Sequence, residues 1–207
     1  TAVKARMLNV GQSCNAAKRF MIEEAVYDAF VDLFLQELKK LKPGNPLDEH
    51  ASYACMARPD LAAELYQQVR ETVALGARVL TGGMAPESGS ARFEPTVLEN
   101  IPKGSPAYSE ELFGPVASLF KVASAKEAMA LANATEYGLG AGVWTRDTNL
   151  AFRMARSIKA GRIWMNCYHA YPAHAAFGGY KKSGIGRENH KSTLEHYQQT
   201  KNMLVSH

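Results

Sequence analysis

A cysteine stands at position 14 behind a glycine and two polar residues, in the run Leu8-Asn9-Val10-Gly11-Gln12-Ser13-Cys14-Asn15-Ala16-Ala17-Lys18-Arg19. The other cysteines, Cys55 and Cys167, lie in unlike settings and read as structural thiols. Cys14 therefore has no neighbouring thiol with which to hold a metal and is available as a nucleophile. A thiol attacks a carbonyl as its thiolate, and an unperturbed cysteine titrates at about 8.5, so a catalytic one needs local amide dipoles or a positive neighbour. Gly11 lets the backbone ahead of Cys14 fold close to an incoming substrate. In mid-chain, Glu110-Glu111-Leu112-Phe113-Gly114-Pro115-Val116 places carboxylates beside an aromatic ring. A carboxylate can accept from two adjacent hydroxyls at once. Near the end, residues 177–188 hold a Gly-Gly turn, two lysines and a Gly-x-Gly, yet their spacing is not that of a phosphate-cradling loop.

Several histidines, among them His169, His174, His190 and His196 at spacings of five, sixteen and six, crowd the final forty residues. No pair shares a helical face and no cysteine or carboxylate completes a zinc pattern, so no metal is expected. A dyad of Cys14 with His169 would make a thiol hydrolase, and the sequence leaves their separation open.

The elements that must carry these residues alternate. An amphipathic helix is predicted from Glu24 to Leu41, with Val26, Phe30, Leu33, Phe34, Leu38 and Leu41 on one face, stopped by Lys42-Pro43-Gly44. A second helix follows Asp60 as N-cap, with Leu61, Leu65, Val69 and Val73 on its stripe and Gly76 at its left-handed end. Strands are expected at Arg78 to Leu80, Phe93 to Val97 and Val116 to Val122. Ser124 and Glu127 have capping-box spacing for a helix carrying Ala128 to Ala134. Then come a strand from Leu139 to Trp144, a helix through Leu150, Met154 and Ile158, a strand Ile163-Trp164-Met165, and a strand in the tail Lys201 to Ser206. Helices alternating with short apolar strands indicate a three-layer α/β fold. The connection over residues 167–191 is too long to be a mere link.

With 207 residues, 46% of them hydrophobic, the chain can bury a sizeable core as one domain, or one and a small appendage. No apolar stretch of about 18 residues could span a bilayer, and the first residues lack the core of a secretion signal, so a soluble cytoplasmic protein is expected. An odd number of cysteines without framework spacing fits a reducing compartment. The net charge of +4 is spread along the chain, with no basic cluster larger than a pair, which argues against nucleic acid.

The three motif segments, in this order, resemble the catalytic half of the aldehyde dehydrogenase superfamily, and the resemblance covers practically the whole chain. It implies a three-layer α/β/α catalytic domain over residues 1–200 and a C-terminal strand, 201–207, that extends the sheet of a neighbouring subunit in a homodimer or homotetramer. By the same resemblance Cys14 adds to an aldehyde to give a thiohemiacetal, whose oxyanion is held by the Cys14 backbone N–H and an asparagine lying upstream in the family. A hydride then passes to NAD or NADP, and the resulting thioester is hydrolysed to the acid. Glu111 matches the carboxylate that binds the nicotinamide ribose, and Phe113 matches the ring that flanks the nicotinamide. Phe177 matches a residue lining the substrate tunnel, while His169 and Tyr171 fall in the loop that contacts the aldehyde's tail.

Within the superfamily the early segments, Ala16-Ala17-Lys18-Arg19-Phe20 and Met56-Ala57-Arg58-Pro59-Asp60-Leu61, look like bacterial succinate-semialdehyde dehydrogenases. The later ones, Asn166 to Phe177, Ser183 to Glu188 and Leu194 to Lys201, look like bacterial acetaldehyde dehydrogenases, as in a natural intermediate or a hybrid. Leu8 replaces the arginine that some semialdehyde enzymes keep, and the loop at His169 to Tyr171 is aromatic and mainly uncharged. A small neutral aldehyde is therefore expected, with succinate semialdehyde as the alternative. Ala54-Cys55 replaces a Gly-Pro usual before Met-Ala-Arg. The family's dinucleotide-binding domain and general-base glutamate are expected upstream of Thr1, so this chain alone should bind the nicotinamide cofactor weakly and turn over little. A nucleotide-independent thiol esterase and a non-catalytic assembly fragment are the alternatives from other classes.

Overall fold

The computed structural model describes residues 1–207, which gather into two compact units, Thr1–Thr135 and Glu136–His207. In the first, helix α1 (Ala2–Met7) runs into a 3-10 turn (Leu8–Gly11), followed by β1 (Arg19–Glu23), α2 (Glu24–Lys39), α3 (Pro59–Ala74), β2 (Arg78–Thr81) and β3 (Thr96–Glu99). A one-turn helix α4 (Pro106–Ser109), β4 (Val116–Val122) and α5 (Ala125–Asn133) complete it.

The four strands form one sheet in the order β1-β4-β3-β2. β4 is parallel to both β1 and β3, and β2 runs antiparallel along β3. Every residue of β4 except Lys121 is buried, as a central strand covered on both faces requires. Successive strand side chains point to opposite faces. Leu98 and Val116 accordingly join Leu65 and Val69 of α3 in one core, while Val97, Ala117 and Leu119 join Phe34 and Leu38 of α2 in the other. Helix, sheet and helix thus make the α/β layering that the alternating pattern predicts.

The helix faces follow the expected stripes at Phe34, Leu38, Leu65 and Val69, with Phe30, Leu41 and Leu61 packed against the same cores, and depart from them at Val26, Leu33 and Val73. α2 buries Tyr27, Phe34 and Leu38 and exposes Val26 and Leu33; α3 buries Ala62, Leu65, Val69 and Thr72 and leaves Val73 exposed. Neighbouring residues on a helix lie about 100° apart, so one stripe reaches the sheet and its equally apolar neighbour turns to the edge. Asp60 is not the cap of α3. The cap residue is Arg58, Pro59 opens the helix, and Asp60 instead pairs with the Arg58 guanidinium at 2.6 Å. The expected strand Phe93 to Val97 begins only at Thr96, because Pro95 has no N–H for the ladder. Phe93 is buried in the loop before it. The capping box forms as read: Ser124 Oγ accepts from the Glu127 N–H at 3.3 Å, and the Glu127 carboxylate accepts from the Ala123 N–H at 2.8 Å.

The second unit holds β5 (Tyr137–Gly138), β6 (Gly140–Val143), α6 (Thr148–Ser157), β7 (Arg162–Met165) and β8 (Tyr180–Lys181), then a 3-10 helix (Lys191–Tyr197). The strand expected from Leu139 to Trp144 forms as β6, parallel to β7, while the short β5 that precedes it pairs with β8. Asp147 caps α6, its carboxylate accepting from the Leu150 N–H at 3.0 Å. Residues 198–207 carry no regular structure. The strand expected over 201–206 is not formed within the single chain, since a strand exists only with a paired neighbour. No helix is long and apolar enough to cross a membrane.

Candidate active site

The turn that carries Cys14 is built from strained backbone. Asn9, Val10 and Gly11 are consecutive residues with positive φ, at 50°, 57° and 73°. A β-branched residue in that region is disfavoured, and the surroundings enforce it. The Val10 side chain is buried in the α3 core, and the Gly11 carbonyl accepts from Arg6 Nη2 at 2.6 Å, with Arg6 itself 1% exposed. Gln12 clamps the turn: its carbonyl accepts from Asn9 Nδ2 at 3.0 Å, and its Oε1 accepts from the Ala57 N–H at 2.8 Å. Gly11 admits no side chain, because a Cβ there would lie 2.2 Å from the Gly114 carbonyl oxygen. The cysteine turn and the Leu112-Phe113-Gly114 segment therefore touch through backbone. Cys14 is exposed at the end of this turn, and no backbone carbonyl accepts from its N–H.

Lys18 joins the two segments. Its Nζ lies 3.4, 3.2 and 3.2 Å from the carbonyls of Ser13, Cys14 and Ala16. The same ammonium pairs with Glu111 Oε1 at 3.0 Å and sits 5.6 Å from the centre of the Phe113 ring. Burial, and then the nearby Arg6 cation, push the Lys18 amine below the usual lysine range, with Glu111 and the Cys14 sulfur opposing. The two glutamates of the motif part company. Glu110 accepts from Gln68 on α3 at 2.9 Å, and Glu111 turns to Lys18. Leu112, 2% exposed, anchors the segment between them and Phe113. Glu111 Oε2 remains for an incoming hydroxyl, and the Phe113 ring is 40% exposed.

In the second unit His169, Tyr171 and Phe177 belong to one aromatic cluster with Trp164 and Tyr168. Tyr171 meets Phe177 edge-on at 5.3 Å, Trp164 meets Tyr171 at 5.6 Å, and Tyr168 meets His169 at 4.5 Å between centroids. Arg162, nearly buried on β7, pins the loop. It donates to the Ala170 carbonyl at 2.7 Å and approaches the carbonyls of Ala175 and Ala176 at 3.5 and 3.4 Å. Its guanidinium also lies over Trp164 and Tyr171, the stacking that a planar cation favours.

Sequence reasoning named Cys14, Glu111 and Phe113, and the structure gathers them about Lys18, a residue quoted in the motif but given no role. The signal was present, since a reactive thiol needs a positive neighbour and Lys18 stands four residues on. Arg6 and Arg162 were missed entirely, because nothing in a single sequence tells a buried arginine from a solvated one. Cys55 and Cys167, read as structural thiols, are both exposed. Neither belongs to a core cluster.

The profile of the aldehyde dehydrogenase family matches residues 1–203. An aldehyde dehydrogenase of Paracoccus denitrificans is 47% identical over 205 residues, which make up 97% of this chain and 40% of the relative. An acetaldehyde dehydrogenase of Pseudomonas aeruginosa is 45% identical over 204 residues, 96% of this chain and 40% of the relative. The crystal structure of betaine aldehyde dehydrogenase from Staphylococcus aureus in complex with NAD+ matches with a TM-score of 0.89 at 34% identity, over 95% of this chain and 40% of that one. The chain thus spans about two fifths of the length of the curated relatives it matches.

Proposed function

Because the chain belongs to the aldehyde dehydrogenase family, we propose that it is the thiol-bearing catalytic part of an enzyme that oxidises a small neutral aldehyde to its acid. The observation that carries this reading is the exposed Cys14 at the end of a braced turn, its backbone N–H taken by no backbone carbonyl and a carboxylate and an aromatic ring tied to that turn through Lys18.

In this reading the Cys14 thiolate attacks the aldehyde carbon, and the new S–C bond leaves the carbonyl electrons on oxygen. The Cys14 N–H donates to that oxyanion, a preorganised dipole aimed where charge develops. Glu111 and Phe113 fit the ribose and nicotinamide half of NAD or NADP: Oε2 of the lysine-held carboxylate can accept from ribose hydroxyls, and the half-exposed ring can pack against a flat heterocycle. When bound, a nicotinamide supplies the acceptor for the hydride that the thiohemiacetal carbon must lose. Cys14 then carries the acyl group as a thioester until water takes it as the acid and returns the thiol.

The aromatic cluster of His169, Tyr171 and Phe177 is proposed to receive the tail of the aldehyde. The Arg162 guanidinium beneath it is occupied by the carbonyls of Ala170, Ala175 and Ala176. It therefore offers no cation to a substrate carboxylate, which favours acetaldehyde or an aromatic aldehyde over succinate semialdehyde. The tail after residue 200 is proposed to find its strand partner in another subunit, giving a dimer or tetramer. The test is steady-state oxidation by the full-length enzyme of acetaldehyde, benzaldehyde and succinate semialdehyde with NAD+ and with NADP+. Higher kcat/KM for a neutral aldehyde supports the reading, and a preference for succinate semialdehyde overturns the substrate assignment. Cofactor-independent ester hydrolysis without aldehyde oxidation would favour a thiol esterase instead.

A further inference from the structure

We propose that Lys18 is a positioning residue that couples the nucleophile's turn to the cofactor-facing carboxylate, setting affinity for the nicotinamide half of the cofactor; this rests on the functional reading above. The ammonium is fixed from one side by the carbonyls of Ser13, Cys14 and Ala16, from the other by Glu111 Oε1, and it underlies the Phe113 ring. Its side chain is only 17% exposed, so the contacts are shielded from the solvent screening that empties most surface ion pairs. The backbones of the two segments it joins also touch, at Gly11 and Gly114, so the charged link acts across a contact that is already close.

The consequence is geometric. A glutamate on a loop loses rotamer freedom when it binds a ligand; here Lys18 has already fixed one carboxylate oxygen, which leaves the other preoriented. Removing the ammonium would free the Glu111 side chain and deprive the Phe113 face of its cation. Cofactor binding would then bear the cost of ordering them. The ammonium is faced by Glu111, Arg6 and the Cys14 sulfur, and burial pushes its titration below 10.5. The coupling should therefore fade at a lower alkaline pH than an ordinary lysine permits. An arginine at this position stays charged throughout that range.

The experiment compares wild type, Lys18→Met and Lys18→Arg in the full-length enzyme. Readouts are the KM for NAD+, kcat with acetaldehyde, NAD+ binding by calorimetry, and hydrogen exchange at residues 111–114. Lys18→Met should raise both the KM and the dissociation constant about tenfold, the effect of one hydrogen bond to a charged group, with faster exchange at 111–114. Lys18→Arg should restore most of the affinity and remove its alkaline loss. Unchanged cofactor affinity in Lys18→Met, in an enzyme that oxidises acetaldehyde and is silenced by Cys14→Ser, overturns the role of Lys18 alone. A wild-type enzyme that neither binds NAD+ nor oxidises any aldehyde overturns both this inference and the function on which it rests.

Discussion

Gly11→Ala tests the bracing of the cysteine turn. The residue has φ +73°, and a Cβ would stand 2.2 Å from the Gly114 oxygen and 2.6 Å from Arg6 Nη2. Left-handed backbone costs an L-residue about 1–2 kcal/mol, and forcing an extra methyl into packed atoms costs about 1–3 kcal/mol more. Together these take about 2–5 kcal/mol from a total of about 5–15 kcal/mol. Gly89→Ala is the control, since Gly89 has φ +74° but no atom within 4 Å of the place its methyl would take; it should lose only the backbone share. The assay is urea unfolding followed by hydrogen exchange at the β4 amides, which lie just beyond Gly114 in the same unit. At a slope of about 2 kcal/mol/M, Gly11→Ala should lower the midpoint by about 1–2.5 M and Gly89→Ala by about 0.5–1 M. Equal shifts in the two variants would refute the claim that the turn and the Gly114 segment are in backbone contact.

Tyr27, buried on α2, donates to Glu99 at 2.8 Å, and burial together with that carboxylate raises its titration well above the usual tyrosine range. The neutral form is thus favoured in the fold, so its contribution is complete below the unfolded-chain value of about 10 and declines as pH rises beyond it. Tyr27→Phe should cost about 1–2 kcal/mol at pH 7, and the gap between variant and wild type should narrow in urea titrations above pH 10. Arg162→Lys should fail to replace the forked contacts to Ala170, Ala175 and Ala176, giving faster hydrogen exchange over residues 168–177; protection equal to wild type would count against the pinning role. Iodoacetamide labelling is informative because Cys14, Cys55 and Cys167 are all exposed. Selective reaction at Cys14 would report its chemistry and not its access, and equal labelling of all three would argue against an activated thiol.

Much of the first unit was legible in the sequence. The unbroken apolar run at Val116 to Val122 marked the central strand, and Ser124 with Glu127 marked a helix start, because both signals are local. What the sequence could not resolve were choices made by packing. Val26 and Tyr27 are both apolar enough to face the sheet, and only the tertiary context selects Tyr27. Leu139 to Trp144 reads as one strand and forms one, β6, but its partner β7 and the separate β5–β8 pairing just before it are supplied by chain segments more than twenty residues downstream. The motif residues Cys14, Glu111 and Phe113 were visible by resemblance, whereas the ammonium holding two of them is seen only once a hundred residues of chain are folded between.

The central claim is that the Cys14 sulfur carries the acyl group. It is tested most directly by mixing the full-length enzyme with acetaldehyde and excess NAD+, quenching in acid within the first turnover, and weighing the peptide that contains Cys14. The expected result is an added acetyl mass on that peptide, absent without NAD+ and absent in Cys14→Ser. An acetyl group on another residue, or undiminished acetate formation by Cys14→Ser, would contradict it.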